Sequence, residues 1–272
     1  MIKEIFGIPM EPFKRDKPPL LKQQKEIMEI LMIHARQGGL NVIVGEPGAG
    51  KSVLRKELEA LGGEGKKEYV IATIQRTLHT YNMIIHLLMN ALQLTAEKGK
   101  AKDCEKLLIS EAHRIHGQGR KLITIIDEAH LLDLNVLRKL RLLFDDFPKN
   151  HNIILFAQTE ILNRLSMRIH EDIKTRITFS KKLLPLEQEQ MREFINREIQ
   201  DSELPANTFD ENAIDLIIRS AQGNLRLCRN LCYGSLVEAV HLKQKNVCIK
   251  IVNRVLVQPH WRSHEELITQ GN

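Results

Sequence analysis

The eight residues GEPGAGKS, Gly45 to Ser52, have the types and spacing needed to hold a phosphate chain. Glycines let the backbone curl so that successive N–H groups turn inward toward phosphate oxygens. The helix expected next aims its positive N-terminus at the same anion. Lys51 can neutralise the β- and γ-phosphates, and the Ser52 hydroxyl can ligate Mg2+. The candidate nucleotide-contacting set is therefore Gly45, Glu46, Pro47, Gly48, Ala49, Gly50, Lys51, Ser52 and Val53.

A second group stands 76 residues after Lys51, where the apolar run LITII delivers Asp127 and Glu128 at its end. Ligands of open α/β sheets bind at carboxyl ends of strands, where Asp127 can hold Mg2+ through its water shell and Glu128 can polarise an attacking water. An exposed acidic turn would look similar, but its pairing with the glycine-rich loop argues against that. Gln158 ends another apolar run, NIILFA. It either touches the γ-phosphate and the lytic water or simply terminates a strand. Arg164, Arg168 and Arg176 come next. One of them could reach a neighbour's γ-phosphate, although arginines here also form solvated faces and ion pairs. Arg226, after a Gly-Asn helix start, could lean over the phosphates or be a surface arginine.

The elements that must position these groups alternate. Apolar periodicity predicts a helix over 20–37, a strand over 40–44 and a helix over 52–61. Further strands are expected at 68–74, 122–126, 152–157 and 177–184, separated by two helices within 80–116 and one at 135–144. Such alternation predicts an α/β fold, a parallel sheet flanked by helices. Residues 187–200, 210–221, 224–241 and 247–257 read as helices without intervening strands. The expected organisation is an N-terminal arm (1–19), an α/β nucleotide-binding domain (20–186) and a smaller all-helical lid domain (187–272). Pro9, Pro12, Pro18 and Pro19 predict an irregular arm, pinned by Phe6 and Phe13.

The 272 residues are 43% hydrophobic and 27% charged, enough for one large core and a smaller one. No apolar run reaches the roughly 18 residues a membrane span needs, and MIKEIFGIPMEPF lacks the apolar core of an export signal. A cytoplasmic protein is expected. The net charge of +6 favours a polyanionic partner, whereas 4% aromatic content disfavours single-strand binding by stacked rings. Cys228 and Cys232, four apart, could face a metal, but they read better as small apolar residues on a buried helix face.

Taken together, the chain resembles the AAA+ ATPases, and among them the ExeA-like group, which includes secretion ATPases and transposition helpers of the TniB, TnsC and phage Mu target-capture type. FGIPMEPF, GEPGAGKS, IDEAH with LRKLRLLFDD, LLPLEQEQ and GNLRLCRNLCYGSLVEA carry that resemblance. It implies Walker A at Lys51 and Ser52, Walker B at Asp127 and Glu128, sensor 1 at Gln158 and sensor 2 at Arg226. Arg176 is then the preferred arginine finger and Arg168 the second. The implied cofactors are ATP and Mg2+, and the implied activity is slow, oligomer-dependent ATP hydrolysis. His130 departs from the glutamine more usual there. ExeA itself continues into a membrane span and a cell-wall-binding part, and ending at Asn272 counts against a secretion role.

The resemblance predicts a regulator of DNA transposition that assembles as a ring or filament on double-stranded DNA with ATP, recruits or stimulates a transposase, and disassembles on hydrolysis. The competing reading is a nucleotide-gated scaffold for protein partners. DNA phosphates would be met first by Arg76, Thr77 and His79, then by Lys98, Lys100 and Lys102. A solvated loop explains KGKAK equally well.

Overall fold

The computed structural model describes residues 2–13, 19–62, 68–75, 80–95 and 101–258. In chain order its elements are α1 (Ile2–Phe6), α2 (Lys22–Gln37), β1 (Gly39–Gly45), α3 (Lys51–Glu59), β2 (Tyr69–Ile74), α4 (Tyr81–Ala91) and α5 (Ala101–Gly117). Next come β3 (Lys121–Ile126), α6 (Leu134–Asp145), β4 (Asn152–Ala157), α7 (Glu160–Ser166), α8 (Glu171–Lys174) and β5 (Ile177–Leu183). Four helices close the described chain: α9 (Gln188–Asp201), α10 (Glu211–Ala221), α11 (Leu225–His241) and α12 (Ile249–Leu256). They form two compact units, one of residues 19–46 and 51–183, the other of 1–18, 47–50 and 184–272.

The first unit is a five-stranded sheet in the order β2-β3-β4-β1-β5, every pairing parallel. The central strands β1, β3 and β4 are apolar almost throughout and buried, as a sheet covered by helices on both faces requires. Edge strand β5 alternates instead, and exposed Lys181 and Lys182 charge its free side, which discourages pairing with another sheet. Helix α2 buries Ile27, Leu31 and Ala35, one face at a spacing of four. It stops at Gly38, whose φ of +83° only glycine adopts easily and where a Cβ would stand 2.1 Å from the Lys149 carbonyl oxygen.

A titratable group lies in the core against this sheet. His151 is buried against Phe144 and Phe147, with Nε2 2.9 Å from the Thr124 hydroxyl. Burial pushes its imidazole down to about 3. The unfolded chain takes up this proton near 6.5 and the folded chain only near 3, so stability present above pH 6.5 is lost as pH falls. The expected slope is about 1.4 kcal/mol per pH unit. His151→Gln should flatten that slope between pH 6.5 and 4.5, as read by urea unfolding at several pH values; an unchanged slope would mean another group titrates.

The second unit is helical and includes the N-terminal segment. The proline-rich stretch is not wholly irregular: prolines begin only at position 9, so α1 forms ahead of them. Phe13 is buried at φ +60°, its N–H donating to Glu198 Oε2 at 3.0 Å and its carbonyl accepting from Arg229 Nε and Nη2 at 3.0 and 2.7 Å. Its ring meets Phe209 edge-on at 6.1 Å, while Phe6 is only half-buried. Cys228 and Cys232 are fully buried on α11, and burial pushes the Cys232 thiol well up. Among the described residues no cluster of His, Cys, Asp and Glu suits a metal ion on its own, and no helix is long and apolar enough to cross a membrane.

Candidate nucleotide site

Because β1, β4 and β3 are neighbours, the residues just past each strand emerge side by side. Val44 pairs with Ala157 and Ile126 with Leu155, so Gly45, Gln158 and Asp127 leave the same carboxyl edge of the sheet. Lys51 opens α3 and is buried, its ammonium donating to the Gly45 and Glu46 carbonyls at 2.5 and 3.2 Å. Glu46 is tied to the end of β4, accepting from the Thr159 hydroxyl at 2.7 Å. Ser52 is exposed and Val53 half-buried on the first turn of α3.

Asp127 is almost buried, and burial raises its carboxyl above the usual carboxylate range. Three groups pull the other way: the Glu128 backbone N–H, donating to Oδ1 at 2.9 Å, the Arg55 guanidinium and the Lys51 ammonium. Arg55 Nε stands 3.0 Å from Asp127 Oδ2, while its Nη1 donates to Glu59 Oε1 at 2.6 Å. The first contact is an ion pair by distance, without the N–H directed at the oxygen. Sequence reasoning missed Arg55, although its spacing held the signal. Lys51, Arg55 and Glu59 lie four apart and share the helix face that meets the strand ends.

Glu128 comes next in the left-handed region, φ +52° and ψ +35°, conformations uncommon outside glycine and asparagine. The turn sends the chain into a short 3-10 segment, Ala129–Leu131, and leaves the Glu128 side chain 43% exposed. His130 in that segment is buried. Its Nδ1 accepts the Gln158 backbone N–H at 3.3 Å, and its Nε2 faces Glu128 Oε2 at 3.5 Å and Glu160 Oε1 at 3.9 Å. Arg164 fastens the same turn, donating to the His130 and Leu132 carbonyls at 2.6 and 2.9 Å.

Within the helical unit, Gly48 and Gly50 adopt φ of +87° and +99°. Asn224 caps α11, its Oδ1 accepting from the Arg226 and Leu227 N–H groups at 3.0 and 3.2 Å. Its Nδ2 donates to the Pro47 carbonyl at 2.8 Å. A Cβ on Gly48 would stand 2.1 Å from Asn224 Oδ1 and 2.9 Å from Arg226 Cβ, so glycine is required there by contact as well as by φ. Arg226 is exposed at the start of α11, against the glycine-rich loop. Asn224 is a second residue that sequence reasoning missed; the Gly-Asn start signalled a cap but not what its amide would bind.

The remaining candidates do not join these groups. Arg176 stands 3.4 Å from Asp145 and lines a cavity with Gly39 and Leu40, at the amino end of β1. The seven-residue strand β1 runs from that end to Gly45, about 20 Å. Arg168 is exposed between α7 and α8, and Arg164 is committed to carbonyls. Lys102 is exposed in the first turn of α5; Arg76, Thr77, His79, Lys98 and Lys100 lie outside the described residues.

The donor set fits a nucleoside triphosphate with Mg2+: an ammonium beside the end of β1, with an exposed hydroxyl and a carboxylate as hard oxygen ligands. Residues 34–165 match the AAA domain family, and the parallel sheet with its flanking helices is the AAA+ P-loop fold. Residues 34–165 therefore carry an AAA domain, set in the AAA+ P-loop fold. It is 25% identical over 253 residues to General secretion pathway protein A of Aeromonas hydrophila, covering 88% of this chain and 45% of that relative. The chain thus spans less than half of that relative's length. Its fold is also that of the Aeropyrum pernix ORC2 protein, solved as ADPNP-ADP complexes, with TM-score 0.72, 16% identity, and 94% of this chain and 73% of that one covered. Drosophila ORC bound to DNA is similar at TM-score 0.69, 17% identity, and 98% and 67% coverage.

Proposed function

We propose that this chain is an ATP-driven switch that assembles on double-stranded DNA, recruits or stimulates the transposase of a mobile element, and releases when ATP is hydrolysed. The observation that carries the hydrolytic part is the convergence of Lys51, Asp127, Glu128 and Gln158 at one edge of the sheet. Bound Mg-ATP supplies the electrophilic γ-phosphoryl group. Lys51 would meet the phosphates, and Ser52 and Asp127 would hold the metal, with the Arg55 charge favouring the ionised form of Asp127. Glu128 takes the proton of the attacking water, the Gln158 amide orients that water, and Arg226 senses the phosphate chain beside Gly48. Arg176, or failing it Arg168, acts on the site of a neighbouring copy, which makes ATP part of the subunit interface and hydrolysis slow without assembly.

The DNA part is supported by the net charge of +6 and by a shared fold with an ORC solved on DNA. Transposase recruitment rests on the resemblance to transposition helpers. A second reading, a nucleotide-gated scaffold for protein partners, is favoured by the similarity to General secretion pathway protein A. Negative-stain imaging with plasmid DNA separates them. Rings or filaments on DNA only with ATP, weakened by added salt, are expected; a protein that binds ATP yet ignores DNA at low salt would move the search to protein partners.

A further inference from the structure

We propose that His130 is a positioning residue that links the end of β4 to the Glu128 carboxylate and sets the orientation in which Glu128 activates water; this rests on the proposed role of Glu128 as general base. The hydrogen-bond pattern fixes the tautomer. Nδ1 accepts the Gln158 N–H at 3.3 Å, so it carries no proton, and a neutral ring then holds its proton on Nε2. That Nε2–H faces two carboxylates, Glu128 at 3.5 Å and Glu160 at 3.9 Å. A small rotation of the half-exposed Glu128 side chain completes a charge-assisted hydrogen bond.

The ring itself has little freedom. It is buried, its own carbonyl accepts Arg164 Nη1 at 2.6 Å, and the Leu132 carbonyl accepts Nη2 of the same guanidinium at 2.9 Å. Both anchors, the Gln158 backbone and Arg164, belong to the chain that leaves β4. Any shift of that strand end is therefore passed through a stiff imidazole to the left-handed Glu128 turn. The residue one position from the end of β4 and the residue one position past Asp127 become mechanically joined.

The chemistry also says which replacements should work. A glutamine amide nitrogen reaches where Nε2 stands and can donate to Glu128, whereas asparagine reaches only as far as Nδ1. In steady-state ATP hydrolysis, His130→Gln should stay within threefold of the unaltered protein. His130→Asn and His130→Leu should lose roughly 10–100-fold in kcat, the usual cost of removing an orienting partner. KM and nucleotide affinity stay unchanged. In a Glu128→Gln background His130→Leu costs nothing further.

Equal kcat in His130→Leu, or the same loss in both backgrounds, overturns the proposal. A histidine-labelled 15N spectrum tests it without relying on turnover or on a variant of His130 that folds. An unprotonated Nδ1 and an Nε2–H resonance that moves on Glu128→Gln support it, and an Nδ1–H tautomer or an unmoved resonance overturns it. An unaltered protein that fails to hydrolyse ATP would refute the ATPase role alone and leave the spectrum to decide on His130.

Discussion

Replacing Glu128 with glutamine is expected to leave nucleotide binding within about twofold and to lower the rate of γ-phosphate release by roughly 10²–10⁴-fold, the usual contribution of a positioned general base. The substitution is isosteric, and its Cβ and backbone keep the left-handed turn at φ +52°. Asp127, Arg55 and Lys51 are untouched, so the metal and phosphate contacts proposed for them should persist while the proposed general base is gone. Single-turnover phosphate release, paired with titration of a fluorescent nucleotide, separates the two effects. A trapped triphosphate should also make any DNA-bound assembly longer-lived. An unchanged hydrolysis rate would remove Glu128 from the chemistry and leave the exposed carboxylate as a surface group.

Lys51→Ala is expected to act on the earlier step. A buried ammonium that pairs with a phosphate chain is worth about 3 kcal/mol when truncated, or roughly 10²-fold in affinity. The fold should survive. Alanine is the better helix former at the start of α3, and the groups released are the Gly45 and Glu46 carbonyls at the loop mouth. Thermal melting with and without Mg-ATP reads the result directly. The unaltered protein should gain stability as ATP rises above its dissociation constant, by mass action, and the variant should gain almost none. Equal stabilisation of both would place the phosphates elsewhere.

Most elements were legible in the residues because their patterns are long or strongly apolar. Strands 40–44, 122–126 and 152–157 are runs of branched apolar residues that only a sheet covered on both faces can bury, and β1, β3 and β4 occupy nearly those spans. The helices of the second unit show clear periodicity, and α9 to α12 lie within a residue or two of their expected ends. Elements that escaped notice, α1, α7 and α8, have five, seven and four residues, too few for a repeat of 3.6 to register.

The place of the glycine-rich loop, of the acidic pair and of the strands that carry them was determined by the sequence alone. Local backbone requirements and short-range spacing place GEPGAGKS as a turn between a strand and a helix, and LITIIDEAH as a strand with an acidic end. Tertiary structure decided which side chains converge. Nothing in the linear order brings Arg55 to Asp127, His130 between Glu128 and Gln158, or Asn224 to Pro47, because each contact depends on strand order or on helices packed from distant parts of the chain. The same holds for Arg176, which sequence sets beside the other candidate arginines. The fold puts it at the amino end of β1, a strand's length from Lys51, since a parallel sheet separates its two edges by the rise of its strands.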